Sequence, residues 1–251
     1  MYRSLDAEQI VQTCRATQAR ITEQFAGSGL SKVAGEILTV SEHAAGLNSW
    51  LEKPHLPLRA LAGLGIIAVL IIVAGVFLNV KVEMNFGSIA DFLQGLDAAV
   101  NEVVFIGVAV FFFLTLETRL KRRRALKAIH ELRSLAHIID MHQLTKDPER
   151  ISAAPSVSPG ARRPQNPAEL MRYLDNCSDL LALISKIAAL YVQNFDDPVT
   201  LSAVNEVEDL TNGLSRKIWQ KIMLFDRILM SGTTPAVACL MGPSAVATDV
   251  R

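Results

Sequence analysis

Cysteine is scarce in this chain of 251 residues, and its three copies lie far apart, at Cys14, Cys177 and Cys239. No two of them form a CxxC pair, which excludes a disulfide framework and a zinc ribbon and fits a reducing compartment. Net charge is lacking too, because 25 Lys and Arg residues balance 25 Asp and Glu residues. No overall electrostatic field therefore favours nucleic acid or an acidic substrate, and only the local distribution of charge is informative.

The short motifs of common catalytic sites are also absent. The sequence contains no P-loop, GxSxG, GxGxxG or HExxH motif, so it indicates no phosphate cradle, nucleophile elbow or zinc helix. Residues 1–25 are polar and amphipathic and lack the apolar core of a secretory signal, so we expect no cleavable signal peptide. We expect no catalytic residues, no cofactor and no metal.

Residues 60–78 contain no side chain with a charge, an amide or a hydroxyl group. As a helix this segment spans roughly 28 Å, about the hydrocarbon thickness of a bilayer. A soluble core helix of that length has no need to be apolar on every face. The sequence therefore predicts a first transmembrane helix over residues 57–80.

A second apolar segment, residues 103–116, is interrupted only by Thr115. Spanning a bilayer requires an earlier start, so we predict a second transmembrane helix over residues 98–117, with its first turn in the headgroup region. Residues 81–97 then form an external loop with an amphipathic segment. This loop carries only Lys81 as a basic residue, whereas seven basic residues lie in 117–136. By the positive-inside rule we expect a multi-pass protein of the cell inner membrane with both termini in the cytosol.

The remaining sequence has helical periodicity, and the predicted fold is an all-α membrane protein. Apolar residues repeat at three- and four-residue steps in 30–51 and 170–191, which is typical of coiled-coil seams. We predict cytosolic helical hairpins that pack on a long helix extending from the second span. The predicted parts are an N-terminal cytosolic hairpin (1–54), the first span (57–80), the loop (81–97), the second span (98–117), a basic cytosolic helix continuous with it (118–147), a Pro-rich linker (148–166), a C-terminal cytosolic hairpin (167–231) and a disordered tail (232–251).

The strongest local charge feature follows the second span. We predict that this basic cluster sets the topology and contacts lipid headgroups, with recruitment of anionic lipid as a functional alternative. No aromatic residues alternate with these charges, so we expect no nucleic-acid partner. The cluster consists of Arg119, Lys121, Arg122, Arg123, Arg124 and Lys127.

Polar residues occur near the outer end of the second span, at Asn101 and Glu102. An ionisable residue at that depth is a candidate functional site, here a pore mouth or an ion ligand. The position is also shallow enough for the carboxylate to reach water. These two residues are therefore the candidate pore-mouth site of a channel.

Two further groupings involve histidine. Arg124 and His130 have an Arg-x5-His spacing that resembles the motif of HEPN-type ribonucleases, an all-α family, over seven residues. The small polar residue that often follows the arginine is absent. The resemblance implies a hydrolase in which Arg124 and His130 are catalytic. His130, His137, Asp140 and His142 form the densest group of potential metal ligands, but their helical spacing favours surface and packing roles.

Three functions are consistent with these features. The first is a non-enzymatic two-pass membrane protein, a self-associating scaffold or regulatory adaptor that presents cytosolic helices to a protein partner or to copies of itself. The second is an oligomeric two-span channel or pore-forming effector, an architecture shared by two-span effectors of bacterial defence systems. The third is the HEPN-like ribonuclease. The expected partners are membrane lipids, further copies of the chain and a protein.

Overall fold

The computed structural model describes residues 4–79, 89–144 and 167–232, and within these ranges the protein is entirely helical, with six helices and no strand. The predicted Pro-rich linker, the tail after Gly232 and residues 81–88 of the predicted loop lie outside the described residues. The helices are α1 (Ala7–Gln24), α2 (Gly29–Glu52), α3 (Leu56–Asn79), α4 (Ile89–Leu144), α5 (Pro167–Gln193) and α6 (Pro198–Gly232).

Local signals in the sequence account for the α1–α2 hairpin. The Asp6 carboxylate caps α1 by accepting from the amide of Glu8 at 2.9 Å, and the Ser28 hydroxyl caps α2 by accepting from the Ser31 amide at 3.2 Å. Between the helices, Gly27 has a φ of 72°, a conformation that glycine adopts without steric cost. This short turn joins α1 and α2, which pack against each other as a hairpin.

Helix α4 is a single helix of 56 residues. It begins at Ile89, so the amphipathic segment predicted to lie in the external loop is already its first part. From residue 108 to residue 144 the helix contains neither glycine nor proline, so nothing in the sequence interrupts it. One helix consequently runs through the apolar part of the molecule and into the helical bundle.

The bundle consists of α1, α2, the second half of α4, α5 and α6. Helix α5 lies at its centre, in contact with the other four, and buries side chains around most of its circumference. Contacts at both ends show that the helices alternate in direction: the Leu5 amide bonds to Gln193 at 2.8 Å, and Gln24 bonds to Asn176 at 3.0 Å. The bundle therefore has one end facing the α3–α4 hairpin and one far end.

Helix α3 pairs with the first part of α4 as a hairpin outside the bundle. Gly65 lies against the Phe113 ring, so closely that a Cβ atom there would be 2.5 Å from the ring. Both helices are long and apolar enough to cross a membrane, and the most apolar window of each has no buried residue. We call α3 and residues 89–116 the apolar hairpin.

The predicted coiled-coil seams are buried inside the chain. Leu30, Ile37 and Leu51 of α2 are at most 2% exposed, and they belong to the same core as α5. On α5, Leu174 and Ile184 are fully buried. The apolar spacing that suggested self-association is thus already used by contacts between helices of one chain.

Candidate functional site

The apolar hairpin joins the bundle where α2 ends, α3 begins and α4 passes beside both. Glu117 of α4 lies at the centre of this junction, with its side chain 16% exposed. Its carboxylate accepts from Arg59 Nε at 2.8 Å and from the His55 amide at 3.3 Å. A carboxylate at that point satisfies a free amide at the start of α3 and complements the positive end of the helix dipole.

Lys121 contacts the carboxyl end of α2 at the same junction. Its ammonium group donates to the carbonyl oxygens of Leu51 at 2.7 Å and Lys53 at 3.0 Å, where α2 terminates. It also lies 3.2 Å from Glu117. Lys121 therefore caps α2, since a helix carboxyl end has unpaired carbonyls that a cation stabilises. With 8% of its surface exposed, its charge is directed into the junction.

Arg122 connects α4 to the start of α6. Its Nε lies 2.9 and 3.1 Å from the two carboxylate oxygens of Asp197. Asp197 also caps α6 by accepting from the amide of Thr200 at 2.9 Å and from its hydroxyl at 2.8 Å. Burial alone would raise the pKa of Asp197, but these hydrogen bonds from Arg122 and Thr200 outweigh it and hold the pKa below its usual value.

Arg124 packs on an aromatic side chain of α2. Its guanidinium carbon is 4.2 Å from the centre of the Trp50 ring, and the His55 ring lies 4.1 Å from the same ring. His55 Nε2 is 3.1 Å from the Trp50 carbonyl oxygen, to which it donates. A stacked guanidinium of this kind stabilises the contact between helices. Three of the six cluster residues, Lys121, Arg122 and Arg124, are thus used in holding the junction together.

The other three cluster residues, Arg119, Arg123 and Lys127, are exposed on the outer face of α4. The Arg119 guanidinium carbon lies 5.5 Å from the centre of the Phe112 ring. Arg123 and Lys127 make no hydrogen bond or ion pair with any residue that the structure describes. The three are part of a shallow depression on the surface, which is lined by Arg119, Arg122, Arg123, Leu126, Lys127 and His130.

The structure does not bring Arg124 and His130 into one cleft. Arg124 lies over Trp50, on the side of α4 that faces α2, whereas His130 lines the depression on the outer face. Of the other potential ligands, His137 is exposed, Asp140 accepts from Gln143 at 2.6 Å, and His142 lies against the backbone of Gly29. Within residues 4–79, 89–144 and 167–232, no three His, Cys, Asp or Glu side chains converge as a metal site would require.

The candidate pore-mouth residues lie on an exposed part of the apolar hairpin. Asn101 donates to the Asp97 carboxylate at 3.4 Å, one turn away on α4, and Glu102 is exposed. The side chains that follow on the exposed surface, including Phe105 and Val108, are apolar. Between Glu102 and Thr115 this helix therefore has no polar side chain.

Sequence reasoning missed Glu117, Arg59 and Trp50 as parts of one site. The spacing of Glu117 and Lys121 on a helix is a readable ion-pair signal, and Asp197 before Pro198 is a readable helix cap. The contacts between helices had no such signal, because they depend on which helix end lies beside which position of α4. No family model matches the chain, and neither a curated protein nor a solved structure matches it significantly.

Proposed function

We propose that this chain is a non-enzymatic, two-pass integral membrane protein of the cell inner membrane, a scaffold or regulatory adaptor that holds a helical bundle at the cytosolic surface. The observation that carries this proposal is the distribution of exposed apolar surface. Among the residues that the structure describes, 29 large hydrophobic side chains are exposed, and twenty of them lie on α3 and on residues 89–116 of α4. A continuous apolar surface of that size needs an apolar solvent, and a lipid bilayer supplies it.

The distribution of charge supports the proposed orientation. The junction end of the hairpin carries the whole basic cluster, whereas Asp97, Asn101 and Glu102 lie toward the other end. Basic residues next to transmembrane helices remain in the cytosol. Because α2 and the second half of α4 both leave the hairpin at the junction end, this orientation gives the bundle a cytosolic position.

The surface of the bundle supports a binding role rather than a catalytic one. Its apolar core is closed by its own helices, and the depression beside α4 is open and shallow. Trp219 and Met223, four residues apart on α6, are 53% and 66% exposed. Exposed aromatic and methionine side chains are common where proteins bind one another. An adaptor would use such a surface for its protein partner.

Membrane topology tests the proposal directly. Cysteines introduced by Ser88→Cys, in the connection between the spans, and by Ser202→Cys, on α6, serve as probes in a Cys239→Ser background. Cys14 and Cys177 can stay, because they are buried at 2% and 0% exposure. We expect a membrane-impermeant maleimide to label Ser88→Cys in intact spheroplasts of a bacterial host, and Ser202→Cys only after permeabilisation. Extraction of the protein by alkaline carbonate, or labelling of both sites from outside, would contradict the proposal.

Two measurements separate an adaptor from a pore. The oligomeric mass in a mild detergent shows whether copies associate, which would require the exposed hairpin or the bundle surface because the seams are already buried. Ion flux across liposomes that contain the full chain then tests conduction. We expect no flux above that of empty liposomes. A flux that falls in Glu102→Gln would instead establish the channel, with Asn101 and Glu102 at its mouth.

A further inference from the structure

We propose that Arg119, Arg123 and Lys127 form a binding site for the headgroup of an anionic phospholipid of the cytosolic leaflet. This inference rests on the proposed membrane position of the chain and adds a specific ligand class to it. The six residues of the basic cluster are not equivalent, and these three are exposed without an ion-pair partner among the residues that the structure describes. We refer to their face of α4 as the basic face.

The first argument is the pairing of charges. Lys121 shares the Glu117 carboxylate with Arg59 and donates to the end of α2, Arg122 is paired with Asp197, and Arg124 is stacked on Trp50. On the basic face, Arg119 contacts only the Phe112 ring, and Arg123 and Lys127 have no partner among the described residues. Glu131, one turn beyond Lys127, is also exposed, but no ion pair joins these two residues in the described part of the chain. The basic face therefore keeps an uncompensated positive charge.

The second argument is the direction of the side chains. Residues spaced by four lie above one another on a helix, so these three form one ridge. The Cα–Cβ bond of a helical residue tilts toward the helix amino end, which for α4 means toward the apolar hairpin. Arg119 shows this directly, because its guanidinium reaches back over the Phe112 ring, two turns earlier. The ridge therefore points its charges at the membrane rather than away from it.

The third argument is depth. Headgroups occupy roughly 5–8 Å outside the hydrocarbon on each side of a bilayer. If the hydrocarbon ends near Leu116, the Cα atoms of Arg119 and Arg123 are roughly 5 and 10 Å beyond it. Arginine side chains that lean back toward the membrane bring both guanidinium groups into the headgroup layer. Lys127 lies roughly 6 Å further out, just beyond this layer, where its charge attracts an anionic headgroup through water rather than by direct contact.

The depression supplies the shape of a binding site. It lies between the ridge of Arg119, Arg123 and Lys127 and the parallel ridge of Arg122, Leu126 and His130. Leu126 and the hydrocarbon stems of the basic residues give it an apolar lining, and these residues carry their positive charges at the ends of those stems. Arginine matches a phosphate through paired N–H donors. An anionic phospholipid, with a phosphate beside an apolar glycerol backbone, has the complementary chemistry.

The test compares two lipids on the full chain in neutral detergent micelles. Short-chain phosphatidylglycerol and phosphatidylcholine are titrated separately, and the bound fraction is measured by native mass spectrometry. We expect the wild type to prefer phosphatidylglycerol and the triple variant Arg119→Gln, Arg123→Gln, Lys127→Gln to bind it roughly 100-fold more weakly, since each basic residue at a membrane surface contributes about fivefold.

A matched control carries the same loss of charge elsewhere. Lys32, Arg216 and Lys217 are exposed residues of the bundle, and their replacement by Gln should leave lipid binding unchanged. An equal loss in the control, or unchanged preference in the basic-face variant, would overturn the proposal. Displacement of the lipid by an equal concentration of inorganic phosphate would overturn it as well, since the site would then take free phosphate. Resistance to carbonate extraction, measured on each variant, shows separately whether the membrane position itself fails.

Discussion

Adjacent residues of the basic cluster differ in role because each one turns by about 100° around α4. Lys121 meets the carboxyl end of α2, Arg122 meets Asp197, and Arg123 points away from the bundle. The sequence predicted the cluster and its effect on topology. It could not predict this division, because the division depends on which helix ends lie beside α4 in space.

One prediction at the residue scale concerns Asp197, whose carboxylate joins α4 to the cap of α6. Its folded-state pKa is lowered, so the ionised form stabilises the fold fully above its unfolded pKa of about 3.9, and this stabilisation is lost as the pH falls through the folded pKa. We expect Asp197→Asn to lower the free energy of unfolding by about 1–3 kcal/mol at pH 7. The difference from wild type should shrink as the pH falls below about 4.

Urea unfolding of both proteins in detergent, at pH 7 and pH 3, measures this difference. Asp196→Asn is the matched control, because Asp196 is an exposed neighbour and exposed substitutions usually change stability by less than about 0.5 kcal/mol. A destabilisation by Asp197→Asn that is equal at both pH values would show that the lost charge is not its cause.

At the scale of single elements, helix positions were easier to predict than helix connections. The sequence predicted a helical hairpin over residues 1–54, and the structure has helices over Ala7–Gln24 and Gly29–Glu52, since caps and the Gly27 turn mark their ends. The amphipathic spacing of residues 89–96 was also helical in the sequence. No local signal in the sequence shows whether that segment is a separate helix or the beginning of α4. In the structure it is continuous with α4.

The contact between α3 and α4 gives a prediction for one element pair. Because a Cβ atom at Gly65 would lie 2.5 Å from the Phe113 ring, Gly65→Ala should force the ring or the helices to move and lower stability by about 1–3 kcal/mol. Gly63→Ala should have no such cost, since nothing lies within 4 Å of its Cβ position. Thermal unfolding in mild detergent compares the two variants.

A double-mutant cycle tests whether Phe113 is the cause. In a Phe113→Ala background the ring is absent, so Gly65→Ala should no longer destabilise the protein, and the coupling between the two sites should be of similar size to the single effect. If Gly65→Ala lowers the stability equally in the Phe113→Ala background, the contact with the Phe113 ring is not the reason that an alanine at position 65 is destabilising.

At the scale of the whole molecule, two parts of the chain follow opposite rules of burial. In the bundle the large apolar side chains are inside, and on the apolar hairpin they are outside. The sequence separated these parts correctly as apolar runs and amphipathic seams. It did not determine whether Leu174 and Ile184 pack against the same chain or another copy, because the spacing of a seam is the same in both cases.

The central position of α5 predicts how the bundle responds to cavities. Leu181 of α5 is fully buried, whereas Leu201 on α6 is 47% exposed. Leu181→Ala should lower the free energy of unfolding by about 2–5 kcal/mol, and Leu201→Ala by less than about 1 kcal/mol. Loss of helical circular dichroism on heating in detergent measures both. Equal effects of the two substitutions would contradict the placement of α5 at the centre.

The continuity of α4 has a mechanical consequence. About 40 Å of this helix extends from Glu117 to Leu144, without a glycine or proline at which it could bend. Glu117, Lys121 and Arg122 clamp it to α3, α2 and α6 at the pivot. A tilt of the hairpin by about 10° would therefore displace Leu144, at the far end of α4, by about 7 Å. Because this part of α4 is packed into the core of the bundle along its length, a reorientation of the spans would move the bundle as a whole.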